Sequence, residues 1–161
     1  MEFIWSPWRY DYMASIGKKV SACVFCLGED PAQDADRLVL HRGTHNFIIL
    51  NLFPYTTGHL MIAPFAHLAS VVDAPVDQTT EMMALMKRSI DVLTKAYHPE
   101  GFNVGMNLGQ VAGAGVKDHF HLHIVPRWSG DANFMTITGE TRVLPEALAT
   151  SYQRLKAQMQ L

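Results

Sequence analysis

The chain has 161 residues, 48% of them apolar and 17% charged, with a formal net charge of −2. That length and apolar content suit a domain with a substantial core and exclude a disordered chain. The charge excludes a bulk positive field that would gather nucleic acid, and no apolar run approaches the ~18–20 residues that span a bilayer, so neither nucleic acid nor a membrane is an expected partner.

The first 22 residues read as an aromatic arm containing Trp5, Trp8, Tyr10 and Tyr12. Rings left in water are costly, so the arm is expected to pack on its own domain or on a second subunit. It lacks the basic-then-apolar pattern of a secretory leader, which makes the cytoplasm the expected compartment. Cys23 and Cys26 are the only cysteines and stand as Cys-Val-Phe-Cys. In a reducing compartment the pair reads as a metal or redox site before it reads as a disulfide. No strand-then-helix pattern surrounds it, which argues against a thioredoxin-like role.

Residues 28–36 form a polar loop, and 38–41 and 47–51 read as two short strands joined by Arg42-Gly43-Thr44-His45-Asn46. A loop with Pro54 and Gly58 leads to a third strand at 59–63, stopped by Pro64. The spacing of Met82, Leu85, Met86, Ile90 and Leu93 predicts a long helix over 75–97. Asp77 is its expected N-cap, with Glu81 in the first turns. A strand at 102–108, a glycine- and alanine-rich loop at 109–117 and a strong strand at 118–126 follow. A C-terminal helix is predicted over 145–160, with Pro145 in its first turn. This order predicts an α+β fold with an antiparallel sheet, and one domain over 1–161.

The chemistry concentrates in Asp118-His119-Phe120-His121-Leu122-His123-Ile124-Val125. On a strand, alternate side chains take opposite faces, so Phe120, Leu122 and Ile124 enter a core while His119, His121 and His123 share the other face. A lone imidazole such as His41, His45 or His98 reads as an ordinary core or surface residue. Three in strict alternation do not. They suit one catalytic metal, or a central nucleophile with two supporting groups, and spacing alone leaves both open. Imidazole suits attack on phosphorus because its neutral form dominates at pH 7.

The stretch from Gly105-Met106-Asn107-Leu108-Gly109 through Ala112-Gly113-Ala114-Gly115 to His119-Phe120-His121-Leu122-His123-Ile124-Val125-Pro126-Arg127-Trp128 resembles the histidine-triad (HIT) superfamily. So does the upstream stretch from Leu50-Asn51 through Gly58-His59 to Ala63-Pro64. The Trp5-Ser6-Pro7-Trp8-Arg9 start and Gly130-Asp131-Ala132-Asn133-Phe134 are similar to a bacterial branch associated with diadenosine tetraphosphate phosphorylase or hydrolase activity. The resemblance implies a HIT-like sheet, a homodimer joined across its sheets, and a nucleotide substrate. It implies that His121 attacks the α-phosphorus to give a covalent nucleotidyl-histidine, oriented by the His119 carbonyl. His123 and His59 would bind or polarise the phosphates, Asn51 would meet the ribose and Asn107 the phosphate region. Backbone N–H groups around Gly113 and Gly115 would cradle phosphate oxygens. Other branches carry Gln or Ser shortly before the first triad His, where this chain has Gly115 and Val116.

By the same resemblance, a structural zinc would be held by Cys23, Cys26, His67 and His119, a tetrahedral donor set. Mg²⁺ would arrive only with the substrate phosphates. The alternatives are a nucleoside phosphoramidate hydrolase of the same superfamily, which would share the nucleophile, and a nucleotide-binding module without catalysis, which would not need one.

Overall fold

The protein is described by a computed structural model covering residues 23–28, 30–131 and 146–159. The aromatic arm and Pro145 lie outside these residues. Five strands, β1 (Val39–Arg42), β2 (Asn46–Leu50), β3 (Leu60–Pro64), β4 (Gly101–Met106) and β5 (Leu122–Arg127), form one sheet in the order β1-β2-β3-β5-β4. All neighbours are antiparallel. Two helices, α1 (Val76–Tyr97) and α2 (Leu148–Met159), complete the α+β fold.

Alternation along the strands divides the core between two faces. Leu40, Ile48, Leu50, Leu60, Ile62, Leu122 and Ile124 pack with Met82, Leu85, Leu93, Tyr152 and Leu155 of the helices. The other face carries Val39, Phe47, Ile49, Met61 and Ala63, covered in part by Phe25.

The first turn of α1 differs from expectation. Pro75 occupies the cap position and makes no side-chain capping bond, and its carbonyl accepts from Thr79. Asp77 instead lies inside the first turn, where its carboxylate still complements the helix dipole. The fixed φ of Pro75 places the start of the helix ahead of the residue that sequence reasoning preferred.

Glu81 does more than favour that dipole. Its carboxylate accepts the backbone N–H groups of Thr44, His45 and Asn46 and the Asn46 side-chain amide, at 2.5–2.8 Å. One helix residue thereby ties down the β1–β2 turn. Gly43 belongs to that turn because a Cβ there would sit 2.7 Å from Glu81 Oε1 and 2.9 Å from the Asn46 carbonyl oxygen.

The two sheet edges are treated differently. At β1, Asp34 O accepts from Val39 N, and Tyr152 and Lys156 of α2 donate to the carbonyls of Val39 and Leu40. At β4 the central residues Asn103, Val104 and Gly105 are exposed.

Candidate active site and metal cluster

His123 stands directly opposite Met61 and Gly105, on the face away from the helices. The strand predicted over 118–126 begins only at Leu122. Before that point the chain has left the ladder: Phe120 N donates to Leu68 O and the His119 ring lies on the Pro64 carbonyl at 2.8 Å. The alternation survives without the ladder. Phe120 is buried in the helix-side core, and His119, His121 and His123 remain on the other side with Phe25.

The partners of each ring fix its tautomer. His121 Nδ1 is 2.9 Å from the His119 carbonyl oxygen. A carbonyl only accepts, so Nδ1 carries the proton and Nε2 keeps its lone pair. Tyr55 N–H donates to His59 Nδ1 at 3.1 Å, so the His59 proton is on Nε2. His59 Nε2 is 2.9 Å from His123 Nδ1 and therefore donates to it. The neutral His123 must then carry its own proton on Nε2. A backbone amide thus sets a relay that leaves His123 Nε2–H as a donor beside a His121 whose Nε2 keeps its lone pair.

Burial keeps these rings neutral. His59 is fully buried and its pKa is pushed down to about 3, by desolvation first and then by the charges of His123 and His121. Desolvation, with His121 next, pushes His123 down to about 4. His121 is also lowered by burial, and its bond to the His119 carbonyl opposes that shift. Phe25 contributes to the shielding, with its ring centroid 4.6 Å from that of His121.

Asn51 is at the end of β2 and is 9% exposed. Its Oδ1 accepts from Phe53 N, which turns Nδ2 towards His59 Nδ1 at 3.3 Å. It therefore helps hold the same tautomer as Tyr55 N–H. Asn107 Nδ2 reaches the Gly113 carbonyl at 3.4 Å, clasping the loop whose glycines 109 and 113 both have positive φ. Gly115 is exposed in the same loop, while Val116 packs against the Phe25 side of the core.

Cys23 Sγ, Cys26 Sγ and one ring nitrogen each of His67 and His119 all lie within 4.8 Å of one another. Cys23 Sγ and Cys26 Sγ are 3.4 and 3.9 Å from His119 Nδ1, and Cys26 Sγ is 3.2 Å from His67 Nδ1. Ligands around a tetrahedral zinc are about 3.3–3.8 Å apart. His119 Nε2–H donates to Pro64 O, which leaves Nδ1 unprotonated on the side of the sulfurs, as a ligand requires. The Cys26 thiol is raised by burial, then by its hydrogen bond to Cys23 and by the charge there, so two thiolates side by side call for a cation. The donor set fits a bound metal.

Of the residues sequence reasoning named, the structure gathers Cys23, Cys26, His67 and His119 in one cluster and His59, His121 and His123 in another, but sequence reasoning missed three that shape the site. Phe25 was legible only as the apolar member of Cys-Val-Phe-Cys. Tyr55 acts on His59 through its backbone, which leaves no trace in residue type. Pro64 matters for its carbonyl. Arg127, at the end of β5, is bound to Asp131 and to Asn103 rather than left as a phosphate-binding cation.

Residues 32–130 match the HIT domain family. The AP-4-A phosphorylase of Mycobacterium tuberculosis is 37% identical over 154 residues, spanning 92% of this chain and 79% of that protein. The adenosine 5'-monophosphoramidase of Schizosaccharomyces pombe is 29% identical over 109 residues, 66% of this chain and 74% of that one. The crystal structure of a Zn-bound histidine triad family protein from Mycobacterium smegmatis superposes with a TM-score of 0.67 at 28% identity, covering 87% of this chain and 94% of that one.

Proposed function

This chain belongs to the HIT family, and on that premise we propose that it is a nucleotidyl hydrolase or transferase that splits dinucleoside polyphosphates such as diadenosine tetraphosphate. The observation that carries this reading is the pairing of an unprotonated His121 Nε2 with the proton relay that ends on His123. In the first step His121 Nε2 attacks the α-phosphorus. An N–P bond forms, the P–O bond to the leaving nucleotide breaks, and the His123 Nε2 proton stabilises the departing oxygen. The His119 carbonyl, which accepts the Nδ1–H, stabilises the positive charge that develops on the His121 ring. In the second step water or inorganic phosphate attacks the same phosphorus and the N–P bond breaks. With diadenosine tetraphosphate the first product is ATP. The second is AMP from water or ADP from phosphate.

Asn51 and Asn107 flank this centre and are assigned to the ribose and phosphate regions, with backbone N–H groups near Gly113 and Gly115 on the phosphate oxygens. Cys23, Cys26, His67 and His119 would hold a zinc ion that supplies fixed geometry to the segment carrying His121, and the attack itself needs no metal. Mg²⁺ would enter only on the substrate phosphates. The open β4 edge supports a homodimer joined strand to strand, and the reduced cysteine pair suits the cytoplasm. No described helix is long and apolar enough to cross a membrane.

The test is rapid quench with mass spectrometry, then chromatography of the products with and without phosphate. An adenylylated His121 peptide and a shift from AMP to ADP are expected. AMP and ATP alone at saturating phosphate would make the protein a hydrolase. Slow cleavage of diadenosine tetraphosphate beside fast cleavage of adenosine phosphoramidate would favour the activity named for the fission-yeast relative.

A further inference from the structure

Beside His123, on the β4 side, an open cleft is lined by Tyr55, Asn103, Gly105, Asn107 and Val125. Three properties define what it can take. The first is room. Gly105 stands opposite His123 in the ladder, and a Cβ at Gly105 would meet nothing within 4 Å. Its φ is not among the positive values, so no backbone conformation requires glycine there. The second is an aromatic wall. Tyr55 is 49% exposed, and its ring lies nearly parallel to that of His123, with 22° between planes and 6.1 Å between centroids.

The third property is polarity without charge. Among the described residues the lining holds no lysine, arginine or carboxylate. The neighbouring Arg127 is bound to Asp131 and Asn103. Because an arginine only donates, Asn103 must present its oxygen to Arg127 and keep its N–H2 group for something else. Asn107 is oriented the opposite way: its N–H2 group meets the Gly113 carbonyl, and its oxygen remains an acceptor. An anionic phosphate would find no cation among the described residues of this cleft. A flat, uncharged heteroaromatic ring with an acceptor for the Asn103 N–H2 group matches the wall and that amide, while Asn107 serves the phosphate chain.

From the juxtaposition of Tyr55, Gly105 and Asn103 beside His123, with Asn107 left to the phosphate region, we infer that this cleft is a subsite for the nucleobase of the leaving nucleotide, the half of the substrate not transferred to His121. The inference rests on the dinucleoside polyphosphate reading above. The polyphosphate chain runs from His121 past the His123 donor and turns its terminal base onto Tyr55. The subsite therefore distinguishes substrates with two nucleosides from those with one.

The experiment compares diadenosine tetraphosphate with adenosine 5'-tetraphosphate, which offers the same α-phosphorus but no second base. Gly105→Val fills the cleft with a residue that suits a strand. It should raise KM for the dinucleoside by about 5- to 150-fold, the range expected for losing one stacked base, and leave KM for the mononucleoside within a factor of two. Tyr55→Phe should keep the ratio of the two KM values, and Tyr55→Leu, of similar bulk but without a π-face, should lower the preference for the dinucleoside. Equal losses on both substrates overturn the inference and assign the cleft to the transferred nucleotide. Unchanged ratios in Gly105→Val and Tyr55→Leu overturn it as well. Failure of the wild-type protein to turn over either substrate would instead remove the underlying reading, and the inference with it. Thermal unfolding of Gly105→Val at the wild-type temperature, together with an unchanged oligomeric state, confirms that only the cleft was altered.

Discussion

His119 faces two ways: its carbonyl oxygen accepts the Nδ1–H of His121 at 2.9 Å, and its own Nδ1 lies 3.4 Å from Cys23 Sγ. The group that fixes the tautomer of His121 is therefore the backbone of a residue whose side chain belongs to the cluster of Cys23, Cys26 and His67. If His121 Nε2 forms the bond to phosphorus, His121→Ala should reduce turnover by about four orders of magnitude or more while substrate still binds within a few-fold. Single-turnover kinetics together with calorimetric binding measure the two separately. Near-normal rates in the variant would give the nucleophile to another group.

Cys23, Cys26, His67 and His119 should carry about one zinc per chain in protein purified without chelator. Cys23→Ser should lose that metal and melt about 5–10 °C lower, because binding energy at such a site is folding energy. Elemental analysis alongside calorimetry checks both. A metal-free wild type that melts at the same temperature with and without added zinc would rule the site out.

The relay of His59 and His123 predicts a pH dependence of stability. Both rings have depressed pKa values in the folded protein, about 3 and about 4. The unfolded chain takes up those protons near pH 6.5, and the folded chain resists them. Their contribution is therefore whole above about pH 6.5 and drains away as pH falls towards 4 and then 3. The melting temperature should drop across that window, and less steeply in His123→Gln than in wild type. Parallel profiles for the two proteins would show that these rings do not titrate on unfolding.

Glu81 gathers four N–H donors in the β1–β2 turn, and those bonds hold its carboxyl below the usual carboxylate range although burial opposes them. Glu81→Ala should cost about 1–3 kcal/mol, because it leaves backbone donors unpaired, and lower the melting temperature by about 2–10 °C. Gly43→Ala should destabilise too, since its Cβ meets the same carboxylate. Full stability in both variants would mean that water satisfies the turn equally well.

The sequence made the triad, the cysteine pair and the alternating core legible because each is a local pattern. The strand and helix periods placed Phe120, Leu122 and Ile124 on the helix side and the histidines opposite, and the structure agrees. What sequence could not reveal depends on backbone atoms meeting across the fold. Tyr55 N–H on His59, Pro64 O on His119 and Leu68 O on Phe120 leave no mark in residue type, and the last two are why β5 starts at Leu122 rather than at 118. Asp77 looked like a cap because its residue type is right, but Pro75 already occupied that position. Glu81 looked like a helix-dipole residue because its partners are 35–37 positions away in the chain.

The unequal edges of the sheet limit how copies of this chain can assemble. Tyr152, Lys156 and Asp34 already occupy backbone groups on the outer side of β1. A strand arriving there would find the N–H and C=O of Val39 and the C=O of Leu40 already taken. Among the described strands β4 is the edge left open, and a copy that joined through its own β4 would present the covered β1 at the far end. If two copies pair through β4 as proposed, growth along the sheet would stop at two chains instead of propagating into a fibre, with α2 closing the far edge.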